Sequence, residues 1–294
     1  SEASYRAVGR QLRVKPTKVF NFVNNLGINC KSFVEVAKEL QPKWSGHLLI
    51  DGKTIYVKKK RYALLLTADA VTQDIPCAYF SYSEDYRSYK KLLNIVKEDL
   101  QYPVKGIVID GNPGLVKAVR RVFPMVPCQL CIRHLNSYHN YHFRYQYNGS
   151  GVGVTEFLEI THKLLYAKGA VHLNYVYQQY LQFLEEYEER IDFKKILYAF
   201  ESKFGHLWVH YEHKGLPRTS NIIEGIIRQL SRKIDDTDGF NYPGTAWNML
   251  KLLIMRYRFK KFSCSRIKGN NGHSPLMLAD VNTKNINRIK FSQK

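Results

Sequence analysis

His47-Leu-Leu-Ile-Asp51-Gly decides the fold: three apolar residues in a row lead into a carboxylate and then a turn former. A continuous apolar run this short suits a strand buried on both faces and is too short for a helix. It predicts a strand that ends at Asp51. Reading outward, Thr54 to Val57 and Tyr62 to Ala68 predict two more strands, with the basic run Lys58-Lys59-Lys60-Arg61 at the turn between them. Ala78 to Tyr82 predicts a further short or edge strand. Tyr89, Leu92, Leu93, Val96 and Leu100 recur at helical spacing, and Lys105 to Asp110 is a second apolar run that ends in an acid. Pro113 opens a helix reaching Val122, and Val126 to Leu130 gives a last strand. A meander followed by alternating strand and helix predicts an α/β fold, a mixed sheet flanked by helices.

Upstream of this core, Tyr5, Val8 and Leu12 share one helical face. Pro16 suits the first turn of a second helix, with Val19, Phe20 and Val23 pointing inward and Gly27 as its C-cap. The two helices around Arg13-Val14-Lys15 fit a small helix-turn-helix over residues 1–30, and equally an ordinary helical hairpin packed on the core. Downstream, residues 136–216 are rich in Tyr, His, Leu, Gln and Glu. Helical periodicity in Phe157 to Leu165 and Val176 to Tyr187 predicts an all-α insertion, with Gly149-Ser-Gly-Val-Gly153 as a loop inside it. Helical patterning resumes at Asn221. The expected segmentation is therefore 1–30, 45–135 as the first part of the core, 136–216 as the insertion, 217–262 as the second part of the core, and 263–294 as a basic, turn-rich, loosely ordered tail.

The 294 residues carry 45 Lys and Arg against 25 Asp and Glu, a formal charge of +20. Such an excess repels itself, and a polyanion relieves the repulsion. Nucleic acid is the expected partner, because each neutralised phosphate releases counterions and adds affinity. A membrane is not expected: no segment pairs a basic face with a broad apolar one, and no apolar run approaches a spanning length. Five scattered cysteines do not form a disulfide framework, which predicts an intracellular setting, cytoplasm and nucleoid in a prokaryote or nucleus in a eukaryote. The expected phosphate contacts are Lys58, Lys59, Lys60, Arg61, Arg228, Arg232, Lys233, Arg256, Arg258, Lys260 and Lys261. Each of these also reads as part of a solvated face, and Arg232 and Lys233 suit the negative end of a helix. Tyr138, Tyr141, Tyr145 and Tyr147 alternate with His and Arg and could stack on unpaired bases or cover the insertion.

Asp51 and Asp110 both close apolar runs, and each is followed by glycine. If their strands are neighbours, the two carboxylates repel unless a cation lies between them. Oxygen donors of this kind suit Mg²⁺ or Mn²⁺, and a pair of ions roughly 3.5–4 Å apart is the usual device for displacement at phosphorus. Asp-Gly is also a common turn after a strand, so neither acid alone names a site. Glu224 is the third candidate, in Thr219-Ser-Asn221-Ile-Ile-Glu224-Gly-Ile-Ile-Arg228-Gln. It sits at the edge of a face made by Ile223, Ile226, Ile227 and Leu230, and with Asn221 it also fits a capping box.

Three stretches together resemble the DDE transposases of the Mutator superfamily, including bacterial insertion-sequence relatives. They are Leu49-Ile-Asp51-Gly-Lys-Thr; Val108-Ile-Asp110-Gly with Val126-Pro-Cys-Gln-Leu-Cys131-Ile-Arg-His134-Leu-Asn; and the Glu224 stretch. The resemblance covers roughly residues 45 to 260. It implies an RNase H-like core in which Asp51, Asp110 and Glu224 hold two Mg²⁺ or Mn²⁺ ions per active site, with Cys131 and His134 supporting them. Over a hundred residues separate Asp110 from Glu224, which matches the family's helical insertion and departs from retroviral-type integrases. The implied activity is metal-dependent cleavage at transposon ends and strand transfer into target DNA. The partners it implies are double-stranded DNA, both terminal inverted repeat and target, and a second copy of the chain as a homodimer. It also leaves room for further end recognition upstream of Ser1. Two alternatives stay open: a domesticated, inactive DNA-binding protein, and an RNase H-like nuclease without end joining. Cys128 departs from the minimal pattern. Cys128, Cys131 and His134, with His139 and His142 nearby, offer zinc-type donors but lack a second half-site, so zinc is not expected.

Overall fold

A computed structural model describes residues 4–146, 151–235 and 239–294 of the chain. Strand β1 runs unbroken from His47 to Val57 and turns into β2, Lys60–Asp69, which pairs in turn with β3, Ala78–Ser81, all antiparallel. The expectation that the strand ends at Asp51 is wrong. Asp51 lies mid-strand opposite Leu66, and the ladder continues because Ile55 and Val57 are buried beyond it. Gly52 does not break the strand. A Cβ there would lie 2.6–2.9 Å from the Glu84 carboxyl group, so glycine is the residue that lets this carboxyl group lie against the sheet. The connection to β2 is the two-residue turn Lys58-Lys59, with φ of 46° and 65°. Two left-handed residues in succession match the twist of the flanking strands, at a cost of roughly 1–2 kcal/mol for each non-glycine.

The chain divides into two units interleaved in sequence: residues 1–105, 113–125 and 221–294, and residues 106–112 with 126–220. The first holds β1 to β3 with helices α1 (Tyr5–Leu12), α2 (Pro16–Ile28), α3 (Phe33–Leu40), α4 (Tyr86–Asn94) and α5 (Pro113–Val122). It also holds α11 (Asn221–Asp235), α12 (Pro243–Phe259) and the short α13 (Pro275–Leu278) and α14 (Arg288–Phe291). Helix α4 continues into a π-helical turn over Ile95–Asp99. Leu48, Leu49, Ile50, Leu64 and Leu66 of the strands, Tyr89 and Leu92 of α4, Leu115 of α5, Ile223 of α11 and Ile254 of α12 are fully buried. Each such aliphatic side chain contributes about 1.5–3 kcal/mol.

Gly27 is not a C-cap. Helix α2 runs through it to Ile28, and the glycine is where α12 crosses, since a Cβ would come within 2.5–2.8 Å of Asn248. Asn248 also donates to Asn24 at 3.0 Å. The tail is ordered rather than loose. Leu276 and Ala279 are fully buried, and backbone bonds from Lys43 to Ala279 and from Lys31 to Ser292 tie the segment to the region around α3.

The second unit contains the parallel pair β4 (Gly106–Ile109) and β5 (Cys128–Leu130), in register Ile109 to Leu130. From Ile132 to Glu212 its described residues form helices and no strand: α6 (Ile132–Gln146), α7 (Val154–Leu165), α8 (Ala170–Tyr187), α9 (Lys194–Glu201) and α10 (Val209–Glu212). Their core is aromatic. Phe143, Phe157, Phe193 and Phe200 are all buried, with Phe143 and Phe193 ring centroids 4.9 Å apart and Phe157 and Phe193 5.2 Å apart. The buried Gln129 amide of β5 donates to Leu207 at 2.7 Å and accepts from the His210 N–H at 3.1 Å, which fastens the strand to the last helix. Tyr147, Gly149 and Ser150 lie outside the described residues.

Candidate active site

Asp51 is half-buried on β1, where its Oδ1 accepts the Gly52 N–H at 2.7 Å. Gly52 faces the Glu84 carboxyl group, which also receives the Tyr89 hydroxyl at 2.6 Å. Successive side chains on a strand point to opposite faces, so Asp51 projects away from Glu84. Sequence reasoning missed Glu84, because Ser83-Glu84-Asp85 reads as the start of a helix. Asp85 does cap α4, accepting the Ser88 N–H at 2.8 Å.

Glu224 is half-buried in the first turn of α11, a helix that packs across β1 and β2 and buries Ile223, Ile226 and Leu230. The helix starts at Asn221 itself. Glu224 is therefore the fourth helical residue.

Asp110 directly follows β4 in the second unit, with the Asn112 N–H donating to its Oδ1 at 2.9 Å. Gly111, at φ 91°, makes the turn that directly follows the carboxylate. Among the described residues no lysine or arginine pairs with Asp110. A half-buried carboxylate at the carboxyl end of a parallel strand is an oxygen donor suited to a hard dication.

Cys131 follows the neighbouring strand β5, and its N–H donates to Ile109 at 2.7 Å. The Ile132 N–H donates to Arg218 at 3.3 Å and so draws the segment before α11 over the start of α6. There the Ser220 N–H donates to Cys131 Sγ at 3.3 Å, and Ser220 Oγ lies 3.3 Å from His134 Nδ1. Burial pushes the Cys131 thiol up, but hydrogen bonds from His134 and Ser220 outweigh it and the net shift is downward. Ser220 lies within the quoted Glu224 stretch but received no role from the sequence. His139 is turned into the aromatic core, with ring centroids 5.1 Å from Phe200 and 5.7 Å from Phe157, and neither ring nitrogen has a partner among the described residues.

The basic residues divide. Lys58, Lys59, Lys60 and Arg61 are exposed at the tip of the β1–β2 hairpin, and Arg228, Arg232, Lys260 and Lys261 are exposed as well. Lys233 and Arg256 are half-buried. Arg258 is a correction. It is fully buried and holds Asp74 with two bonds of 2.8 Å, so its guanidinium ties α12 to the β2–β3 connection and has no face for phosphate. Two residues earlier on the same helix, Arg256 is only half-buried; half a helical turn separates the two side chains. Tyr138, Tyr141 and Tyr145 are exposed on α6.

Residues 48–261 match the family model described as Transposase, Mutator family. The chain belongs to the Mutator family of transposases. The matched span takes in Asp51, Asp110, Cys131, His134 and Glu224, and it begins after α1 to α3. Membership gives this Mutator-family chain a transposase role. A search of the curated proteins finds no match. Among the described residues of this transposase, no helix is long and apolar enough to cross a membrane.

Proposed function

We propose that this transposase cleaves DNA at transposon ends and joins the freed 3′-hydroxyl to target DNA, with Asp51, Asp110 and Glu224 as the metal-holding acids of an RNase H-like core. The observation that carries the reading is that one family match spans all three acids and the Cys131–His134 pair. The position of Asp51 on an uninterrupted strand crossed by the helix of Glu224, and of Asp110 past the end of β4, supports it.

When bound, two Mg²⁺ or Mn²⁺ ions supply Lewis acidity at the attacking and departing oxygens. The protein's own residues do the rest. The three carboxylates hold the ions without forming a covalent bond to DNA, and Cys131, His134 and Ser220 brace the start of α6 beside Asp110. The hairpin Lys58-Lys59-Lys60-Arg61, Arg228 and Arg232 of α11, and Lys260 and Lys261 just after α12 grip phosphates, which fixes the strand's position and so supplies much of the acceleration. The pair α1–α2 reads DNA outside the core, and the working assembly is a homodimer.

The test is a labelled end-DNA assay with Mg²⁺ or Mn²⁺. Cleavage followed by strand transfer is the expected result. Binding without cleavage would move the chain to an inactive DNA-binding role, and cutting without joining would make it a nuclease.

A further inference from the structure

Helix α6 of the second unit departs from the strand ends beside Asp110, since β4 and β5 are paired and Cys131 alone joins β5 to the helix. Its first turn carries His134, whose Nδ1 lies 3.3 Å from the Ser220 hydroxyl. Residues four, seven and eleven positions on share the helical face of His134. They are Tyr138, Tyr141 and Tyr145, which are 46%, 63% and 65% exposed. A stripe of this period ordinarily turns aliphatic residues towards a core. Here it turns rings towards solvent. The other exposed residues described on α6 are Arg133, Ser137 and Asn140, so the face offers none of the aliphatic anchors with which a helix enters another protein's groove.

The rings are held in place by one another. Tyr141 and Tyr145 have centroids 4.6 Å apart, Tyr138 lies 4.1 Å from His142, and Lys203 Nζ sits 5.3 Å from the centre of the Tyr138 ring. Exposed tyrosines elsewhere in this unit act through their hydroxyls instead: Tyr175 accepts from Gln179 at 3.2 Å, and Tyr198 donates to Glu188 at 3.1 Å.

Charge and length narrow the occupant. Helix α6 contains no Asp or Glu in its 15 residues, which suits a polyanion. Nucleobases stack on such rings at about 1–3 kcal/mol each, whatever their sequence. Bases inside a duplex already stack on one another, so the faces open to a protein belong to unpaired nucleotides. From Tyr138 to Tyr145 the helix rises about 10 Å, the length of roughly three stacked nucleotides at about 3.4 Å each.

We infer that the tyrosine stripe of α6 is a single-strand path, taking about three unpaired nucleotides of the DNA strand that adjoins the phosphate at Asp110. The inference rests on the reading of DNA as the substrate cleaved there. It adds a contact to base faces that is separate from the grip on phosphates and blind to sequence.

Two end-DNA duplexes serve as probes, one blunt and one with a short single-stranded extension that carries 2-aminopurine. The whole protein is expected to bind the extended duplex at least about tenfold more tightly by fluorescence anisotropy, and to quench the 2-aminopurine emission. Tyr138→Ala with Tyr141→Ala should lower affinity for the extended duplex to that for the blunt one, with the blunt affinity unchanged. Tyr138→Phe with Tyr141→Phe keeps the ring faces and should keep the preference. Equal affinity of the parent for both duplexes, a preference that survives alanine or is lost with phenylalanine, or an alanine variant weakened alike towards both duplexes would overturn the path alone. Dissociation of a dimer by the alanine pair in sedimentation, with the preference intact, would give the stripe to a second copy of the chain and overturn it too. Failure of the parent to bind either duplex would overturn the substrate reading and this inference together.

Discussion

Replacing Asp51 by Asn exchanges one carboxylate oxygen for an amide nitrogen and keeps the shape, including an acceptor for the Gly52 N–H. Cleavage of labelled end DNA is expected to fall below detection, while affinity measured by anisotropy stays within about tenfold, since phosphate contacts dominate binding. Full cleavage by the variant would remove Asp51 from the chemistry. Arg258→Met is expected to behave in the opposite way. It leaves Asp74 buried without its cation, with the Trp44 indole N–H at 3.0 Å as its one remaining side-chain donor among the described residues, and should cost about 3–5 kcal/mol in denaturant unfolding. A loss of DNA affinity with unchanged stability would contradict this. At the hairpin tip the two effects separate within one variant. Lys58→Asn with Lys59→Gly relieves two left-handed lysines and should stabilise the protein by about 1–2 kcal/mol. It also removes two exposed charges, so the same variant should bind DNA more weakly. Tighter binding would show that the hairpin does not touch phosphate.

Among the elements, the strands were legible because their apolar runs were short, continuous and bounded. The length of β1 was not. Asp51-Gly52 looks like a terminus, and only Glu84, thirty-two positions on, explains why a glycine can sit inside the ladder. Likewise Gly27 looks like a cap until Asn248 of α12 is seen to need the space. Gly27→Ala tests that point: forcing the two helices apart should cost about 1–3 kcal/mol in thermal unfolding, where a true C-cap glycine in a left-handed conformation would owe its cost to strain. A variant as stable as the parent would contradict the close crossing. Helix α3 carried a readable signal that was passed over: Ser32 and Glu35 form a capping box three residues apart, directly before an apolar run. Of the candidate site, the acids and the Cys131–His134 pair stood out through a motif. Ser220 and Glu84 did not, since their roles depend on partners distant in sequence. Arg258 could not be told from Arg256 by composition; only the burial of one side of α12 separates them.

For the whole molecule, pH acts through the second unit's core. Burial, then the charges of Lys203 and His142, lower His139 from 6.5 to about 4. Between those values the unfolded chain takes up a proton that the folded ring refuses, so stability is complete above about pH 6.5 and falls as pH drops toward 4, by on the order of 3 kcal/mol. Burial lowers His47 and His210 in the same direction. His139→Phe should flatten the acid limb of a melting-temperature profile, and an unchanged limb would contradict the assignment. The interleaving of the two units has a consequence of its own. The polypeptide passes from one to the other at 105/106, 112/113, 125/126 and 220/221. No single pair of cuts liberates either unit whole: excising 126–220 would strand β4 without its parallel partner, and ending the chain at 220 would strip β1 and β2 of α11. Evolution can lengthen loops within each body, but it cannot shuffle either one as a cassette, and a fragment-based experiment inherits the same restriction.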